Sequence, residues 1–249
     1  MNGVLTARNP DLLRVGIYYD GNFFSHVSLY YRYGHPRRQR LSIRGLHEFI
    51  RHRVAEAMGV SRGEVAVTGS HYFRARYWAR QAQERDLLFV ERAFEDVLIS
   101  EGVTPHYLPN VDKEKGIEVW LALEAYEAAA QGMCDLVALV AGDSDFVPLA
   151  RKLNALGVPV MVLGWDVRWE DDFGNHRETV SSIQLMEAAN FPLWMNRIVD
   201  EADPADPIIG GLFMDGGRSG NNTDATSREN GGRDNGGREN GGGENGDLG

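Results

Sequence analysis

Cys134 is the only cysteine in 249 residues, which excludes internal disulfides and cysteine-rich zinc sites and points to a reducing, cytoplasmic setting. No apolar run approaches the roughly 20 residues that a membrane-crossing helix needs, so no membrane partner is expected. The opening, MNGVLTARNPDLL, lacks the basic flank and long apolar centre of a signal peptide. No G-x-G-x-x-G follows a strand-like run, and there is no P-loop, so dinucleotide and nucleoside-triphosphate binding have no support. Apolar side chains are nearly missing from the last stretch, GGRSGNNTDATSRENGGRDNGGRENGGGENGDLG. Nothing there offsets the entropy of ordering the chain, so residues 203–249 are expected to form a disordered tail after a domain of residues 1–202.

Acidic charge is present in excess, but unevenly. The formal net charge is -10, which alone argues against a polyanionic partner. Ten acids against four arginines fall from Glu201 onward, and Tyr30 to Arg44 carries five arginines and no acid. The global value therefore decides little about partners.

With 43% hydrophobic residues the chain can build an ordinary core, and its apolar pattern alternates between strand-like and helix-like segments. LRVGIYYDG reads as a strand ending at Asp20. EVAVTGSHYF, VTPHYLP, DLVALVAG and VPVMVLGW are four more strands. Between them lie helical patterns, among them IEVWLALEAYEAAAQG, apolar enough to be buried on all sides. A last helix is expected over Ser182 to Val199. The alternation predicts an α/β domain with a mainly parallel central sheet. In such a sheet the strand C-termini share one rim, where ligands bind. The polar groups that follow the strands, Asp20 with Asn22, His71 to Arg80, Asn110 to Lys115, Asp143 to Asp145, and Trp165 with Asp166, are therefore expected together.

The acids are the informative part. Asp143, Ser144 and Asp145 follow an apolar strand and precede Pro148, a pattern that helix capping also explains. Asp20 ends its own strand, where a simple turn is the competing account. Glu118 opens the apolar helix and shares a face with Leu121, Ala122 and Ala125. If the first and fourth strands are neighbours, these carboxylates crowd, and either some stay protonated or a cation neutralises them. Oxygen ligands without His or Cys favour Mg²⁺ or Mn²⁺ over zinc.

YYDGNFF, KGIEVWLALEA and LVAGDSDFVPLARKLNALGVPV resemble, in order and spacing, the three motifs of NYN domains of the PIN-like ribonuclease superfamily, the bacterial branch above all. The likeness runs over roughly residues 14 to 195. It implies a three-layer α/β/α fold and an acidic Mg²⁺- or Mn²⁺-dependent site that hydrolyses RNA. Matched to those motifs, Asp20, Glu118, Asp143 and Asp145 would be the acidic metal ligands, with Asn22 and Ser144 assisting. Glu118 stands where Asp is commoner, and Asn190 where many relatives carry Asp.

The chemistry expected is in-line attack of water on a phosphodiester, with Lys115 stabilising developing charge. SLYYRYGHPRRQR and SHYFRARYWAR interleave aromatics with arginine, as surfaces do that stack unpaired bases and hold phosphates. Tyr31, Arg32, Arg37, Arg38, Arg40, Tyr72, Arg74, Arg76 and Arg80 are the expected RNA contacts; His71 and His106 are expected to be structural. Two other readings stay open: an inactive domain of the same fold that binds RNA or protein, and a Mg²⁺-dependent phosphohydrolase of small metabolites. A homo-oligomer and a protein partner held through the tail are also left open.

Overall fold

A computed structural model of the chain describes residues 12–109, 116–171 and 174–214. In chain order the elements are β1 (Leu13–Asp20), α1 (Gly21–Leu29, widening into a π-helical turn over Tyr30–Gly34), α2 (Ile43–Met58), β2 (Val65–Arg76), α3 (Ala79–Glu84), α4 (Leu88–Ser100), β3 (Thr104–Pro109) and α5 (Ile117–Ala130). There follow β4 (Leu136–Val140), a short 3-10 turn over Ser144–Phe146, α6 (Val147–Ala155), β5 (Val160–Gly164), β6 (Asp166–Glu170), β7 (His176–Val180), α7 (Ile183–Ala188), β8 (Phe191–Trp194), α8 (Met195–Glu201) and α9 (Pro207–Gly211).

The central sheet has the order β3-β2-β1-β4-β5-β8, and every pairing in it is parallel. Both faces are covered. Val15, Ile17 and Tyr19 of β1 point into one core with α1, α2, α4, α8 and α9, and Tyr18 points into the other with α5, α6 and α7. Burial on both faces is why β4 reads as the unbroken apolar run LVALV. The fold is thus the three-layer α/β/α expected. Beyond the sheet, β6 and β7 form a separate antiparallel pair.

Three expectations need correction. The helix expected over Ser182–Val199 is two helices with a strand between them, because Pro192 disfavours helical backbone before it and fits an edge strand. The break is pinned by Asn190, whose Oδ1 accepts the Val160 N–H at 2.7 Å. α5 is buried on one stripe only, Ile117, Leu121, Ala125 and Ala129, while Val119 and Leu123 are 61% and 62% exposed. The helix lies on the outside of the sheet with no layer above it among the described residues. Finally, the domain does not stop at 202. Asp206 caps α9 by accepting the Ile208 and Ile209 N–H groups, Pro207 fills the first turn, and Ile209, Leu212 and Phe213 are buried. Backbone bonds from Ser42 N to Leu212 O (2.9 Å) and from Met214 N to Arg40 O (2.9 Å) fasten this segment beside α2. Ile208, Ile209, Leu212 and Phe213 give residues 203–214 an apolar content that offsets the cost of ordering them.

Candidate active site

The order 3-2-1-4-5 places a switch point at the centre of the sheet. The chain leaves β1 toward β2 and leaves β4 toward β5, in opposite directions, so the loops after β1 and β4 diverge and open a crevice at their C-terminal ends. Strands β1 and β4 are direct neighbours, with Tyr19 opposite Val140 as their last pair. Asp20 is the next residue on β1, and Asp143 lies three residues beyond Val140.

Two glycines let the chain close up here. A Cβ on Gly21 would lie 2.6 Å from the Phe73 carbonyl oxygen, so only glycine lets α1 start hard against β2. A Cβ on Gly142 would meet the Phe23 ring at 2.3 Å, so the loop after β4 likewise packs directly on α1.

Asp20 and Asp143 both act as caps, so the bland account of each is correct as far as it goes. Asp20 Oδ1 accepts the N–H groups of Asn22 (3.0 Å) and Phe23 (3.2 Å) at the start of α1. Asp143 Oδ1 accepts the Asp145 N–H (2.9 Å) and the Ser144 hydroxyl (3.2 Å). In each case the bonds end on one oxygen, and the second oxygen takes no hydrogen bond from the described residues. Capping does not account for the electrostatics. The Asp20 carboxyl is pushed up to about 6, first by burial and then by the nearby charges of Glu118 and Asp143, against the two amide bonds that favour its ionised form. Acids from α5 and the β4 loop, Glu118 and Asp143, therefore act on Asp20 from far along the chain.

Glu118 stands in the first turn of α5, half-buried, behind a glycine with positive φ, Gly116. Asp145 and Ser144 are exposed; Asp145 is not among the charges that raise Asp20. Asn22 is half-buried in the first turn of α1. Lys115 lies outside the described residues. Among the described residues no three His, Cys, Asp or Glu side chains converge closely enough, as they stand, to enclose a metal ion. The donor chemistry nevertheless suits a hard divalent cation: carboxylate oxygens only, the Asp20 carboxyl pushed up to about 6 by burial and its acidic neighbours, with Cys134 buried elsewhere.

The expected RNA contacts divide. Tyr31 is fully buried, its hydroxyl accepting the Trp165 indole N–H at 3.1 Å, and Trp165 is itself buried rather than part of a polar rim. Tyr72 is also buried, donating to the Gly21 carbonyl at 3.1 Å. Neither ring can stack on a base; both lie inside because residues close to arginine in the sequence can alternate in and out along a helix or strand. Arg32 lies over Tyr33 at 4.9 Å, Arg37 over Phe213 at 5.0 Å, and Arg38 and Arg40 are exposed. Gly21–Gly34 carries the chain about 20 Å at roughly 1.5 Å per residue before this arginine loop begins, so the loop is not beside Asp20. β2 runs three residues further than the expected EVAVTGSHYF strand and takes in Arg74–Arg76. Arg74 stands beside the start of α1, its Cβ 2.8 Å from where a Gly21 Cβ would be, but its charge is not among those acting on Asp20. Arg76 pairs with Glu95 at 3.1 Å, and Arg80 pairs with Glu84 at 3.0 Å. His71 and His106 bond to each other at 3.0 Å within an aromatic cluster, the structural role expected.

The sequence reading missed the β6–β7 hairpin and the close-packed glycines. Alternation in DVRWE and HRETV was a legible strand signal; the tight approaches at Gly21 and Gly142 depend on what lies across the fold, and no local signal carries them.

Comparison with known proteins adds the following. The family model described as NYN domain matches residues 14–183, more than half of the chain. No curated protein matches it significantly. A crystal structure of a protein of unknown function from Vibrio parahaemolyticus is similar at 18% identity, covering 76% of this chain and 96% of that one, with a TM-score of 0.46.

Proposed function

The chain belongs to the NYN domain family of the PIN-like superfamily, and from that premise we propose that it is a metal-dependent endoribonuclease hydrolysing RNA phosphodiester bonds at the rim that carries Asp20, Glu118 and Asp143. The observation that carries the reading is the Asp20 carboxyl, pushed up to about 6 by burial with Glu118 and Asp143 adding to it, at the switch point of the sheet. A buried acid repelled by two others is destabilised unless something positive joins it.

Asp20, Glu118 and Asp143 would hold Mg²⁺ or Mn²⁺, with Asp145 as an outer acid that reaches the site through solvent. A bound ion supplies Lewis acidity toward water and charge neutralisation at the phosphate. The chain's own groups do the rest. The first oxygens of Asp20 and Asp143 are fixed by amides, which orients each carboxylate and leaves its second oxygen without a bond from the described residues. Asn22 offers an amide donor to a phosphate oxygen, and Ser144 a hydroxyl that already steadies Asp143. Lys115 is assigned the developing charge on the leaving oxygen. Arg74, beside Gly21, draws the RNA backbone toward the acids.

Incubating labelled single-stranded RNA with the purified chain and Mn²⁺ tests this. Cleavage is expected that stops with chelator and falls at least about a hundredfold in Asp20→Asn and Asp143→Asn. Cleavage that persists in chelator or in Asp143→Asn counts against the proposal. The unconverged acids favour one other outcome, RNA bound but not cut, which would make the chain an inactive NYN domain used as a binding module. Phosphate release from small esters alone would instead indicate a metabolite phosphohydrolase.

A further inference from the structure

The ends of β2 and β3 hold a cavity of about 260 Å³ that none of the acid chemistry uses. Arg76, Tyr77, Trp78, Glu91, Tyr107 and Pro109 are in its walls. Arg76 of β2 is the cross-strand partner of Pro109, and Arg74 of Tyr107, so the cavity opens on the same C-terminal rim as the acids. Its volume falls just below the roughly 300 Å³ where small-ligand pockets begin, so it takes one planar ring system rather than a whole cofactor.

The walls are aromatic and cationic together. Trp78 is 56% exposed and makes no ring contact among the described residues. An indole left that open gains when a flat apolar group covers it. Tyr107 is covered by the Arg76 guanidinium at 4.1 Å, and Tyr77 by Arg85 at 4.6 Å. Arg76 and Arg92 share the Glu95 carboxylate at 3.1 and 2.6 Å, and with Arg74 and Glu91 beside them three guanidinium groups stand against two carboxylates near the rings. Rings on which bases stack, flanked by guanidinium groups for phosphates, make up the surfaces that hold unpaired nucleic-acid strands. The spacing to the acids is short. Asp20 is opposite Phe73, and β2 continues three residues to Arg76, about 10 Å at roughly 3.3 Å per residue.

Resting on the ribonuclease reading for the identity of the strand, we infer that this cavity stacks one unpaired base of the RNA whose backbone passes the acidic rim, with Trp78 as the platform and Arg76 beside the adjoining phosphate. Glu91 supplies a hydrogen-bonding carboxyl for the edge of that base. The site lies downstream of β2 on the β3 side of Asp20, so a substrate needs single-stranded nucleotides on that side of the cut and not only at it. Paired RNA cannot offer a free face to Trp78.

Tryptophan fluorescence with an adenosine hexaribonucleotide, in chelator so that nothing is cleaved, tests the inference on the full chain. The wild type is expected to be quenched on binding. Trp78→Ala should lose that quenching and bind about 5- to 150-fold more weakly, the range for loss of one stacked base. Trp78→Phe keeps a ring and should recover most of the affinity without the quenching, which separates stacking from misfolding. The inference falls if Trp78→Ala binds as tightly as wild type, or if an abasic hexamer does. It also falls if adenosine monophosphate alone matches the hexamer, since the cavity would then be a free-nucleotide site. Quenching that survives while Mn²⁺-dependent cleavage is absent removes the ribonuclease reading and leaves the cavity; the opposite pair of results removes the cavity and leaves the ribonuclease.

Discussion

Replacing Asp20 with asparagine should make the protein more stable, not less, at neutral and basic pH. The native carboxyl titrates at about 6 against 3.8 as its ordinary value, mainly because of burial and then because of Glu118 and Asp143. A folded-state value above the unfolded one means the folded chain binds this proton more tightly. The corresponding stability is fully present below the unfolded value and is lost as pH rises through the folded one. Two units at about 1.4 kcal/mol each amount to roughly 3 kcal/mol lost by the wild type between about pH 4 and pH 7. Asparagine keeps the cap, since its carbonyl oxygen accepts the Asn22 and Phe23 N–H groups as Asp20 Oδ1 does. Urea unfolding in chelator, at intervals from about pH 4 to pH 8, should therefore show Asp20→Asn gaining up to about 3 kcal/mol over wild type at the basic end. The gain should shrink toward zero below the window, because both proteins are then neutral at this position. A variant that is less stable at every pH, or a difference that does not change with pH, would refute the claim that Asp20 is a charge held against its neighbours. Saturating Mg²⁺ or Mn²⁺ should restore wild type by about 2.7 kcal/mol at a hundred times Kd and leave the variant unmoved.

Other consequences can be checked with simpler measurements. Truncation after residue 202 removes buried Ile209, Leu212 and Phe213, each worth about 1.5–3 kcal/mol, so its thermal melt should fall steeply, whereas a chain ending at 214 should melt as the full one does. Gly21→Ala forces a Cβ to within 2.6 Å of the Phe73 carbonyl oxygen, and a loss of about 1–3 kcal/mol in urea unfolding is expected together with reduced cleavage. Asn190→Asp should leave cleavage within about twofold, because Asn190 bonds Val160 at the start of β5, the end of the sheet opposite the acids, and an aspartate there accepts the same N–H.

The features of the fold that were plain in the sequence are those with a local cause. Runs such as LVALV are continuous because both faces of a parallel strand are buried, so the strands and the α/β class follow from pattern alone. Asp20 and Asp143 could be picked out because an acid directly after such a run has few explanations. What pattern could not reveal was which face a residue meets once tertiary neighbours are in place. Tyr31 and Tyr72 read as surface residues only because arginines stand close to them in the chain; both turn inward to partners far along it, Trp165 and the Gly21 carbonyl. The α5 stripe Val119–Leu123 is as apolar as the face that is buried, and composition cannot say which side meets the sheet. Trp78 escaped notice for the opposite reason: it sits within the arginine-rich segment, yet only the cavity beside it, built from β3 and α4, gives the ring a use.

The account depends on a divalent ion joining Asp20, Glu118 and Asp143, and anomalous diffraction from crystals equilibrated with Mn²⁺ tests that most directly. The expected result is a peak about 2.0–2.3 Å from carboxylate oxygens of both Asp20 and Asp143, absent from crystals of Asp143→Asn. Saturating Mn²⁺ with no peak at the rim, or a peak held by other side chains while Asp20 keeps only its cap bonds, would contradict it.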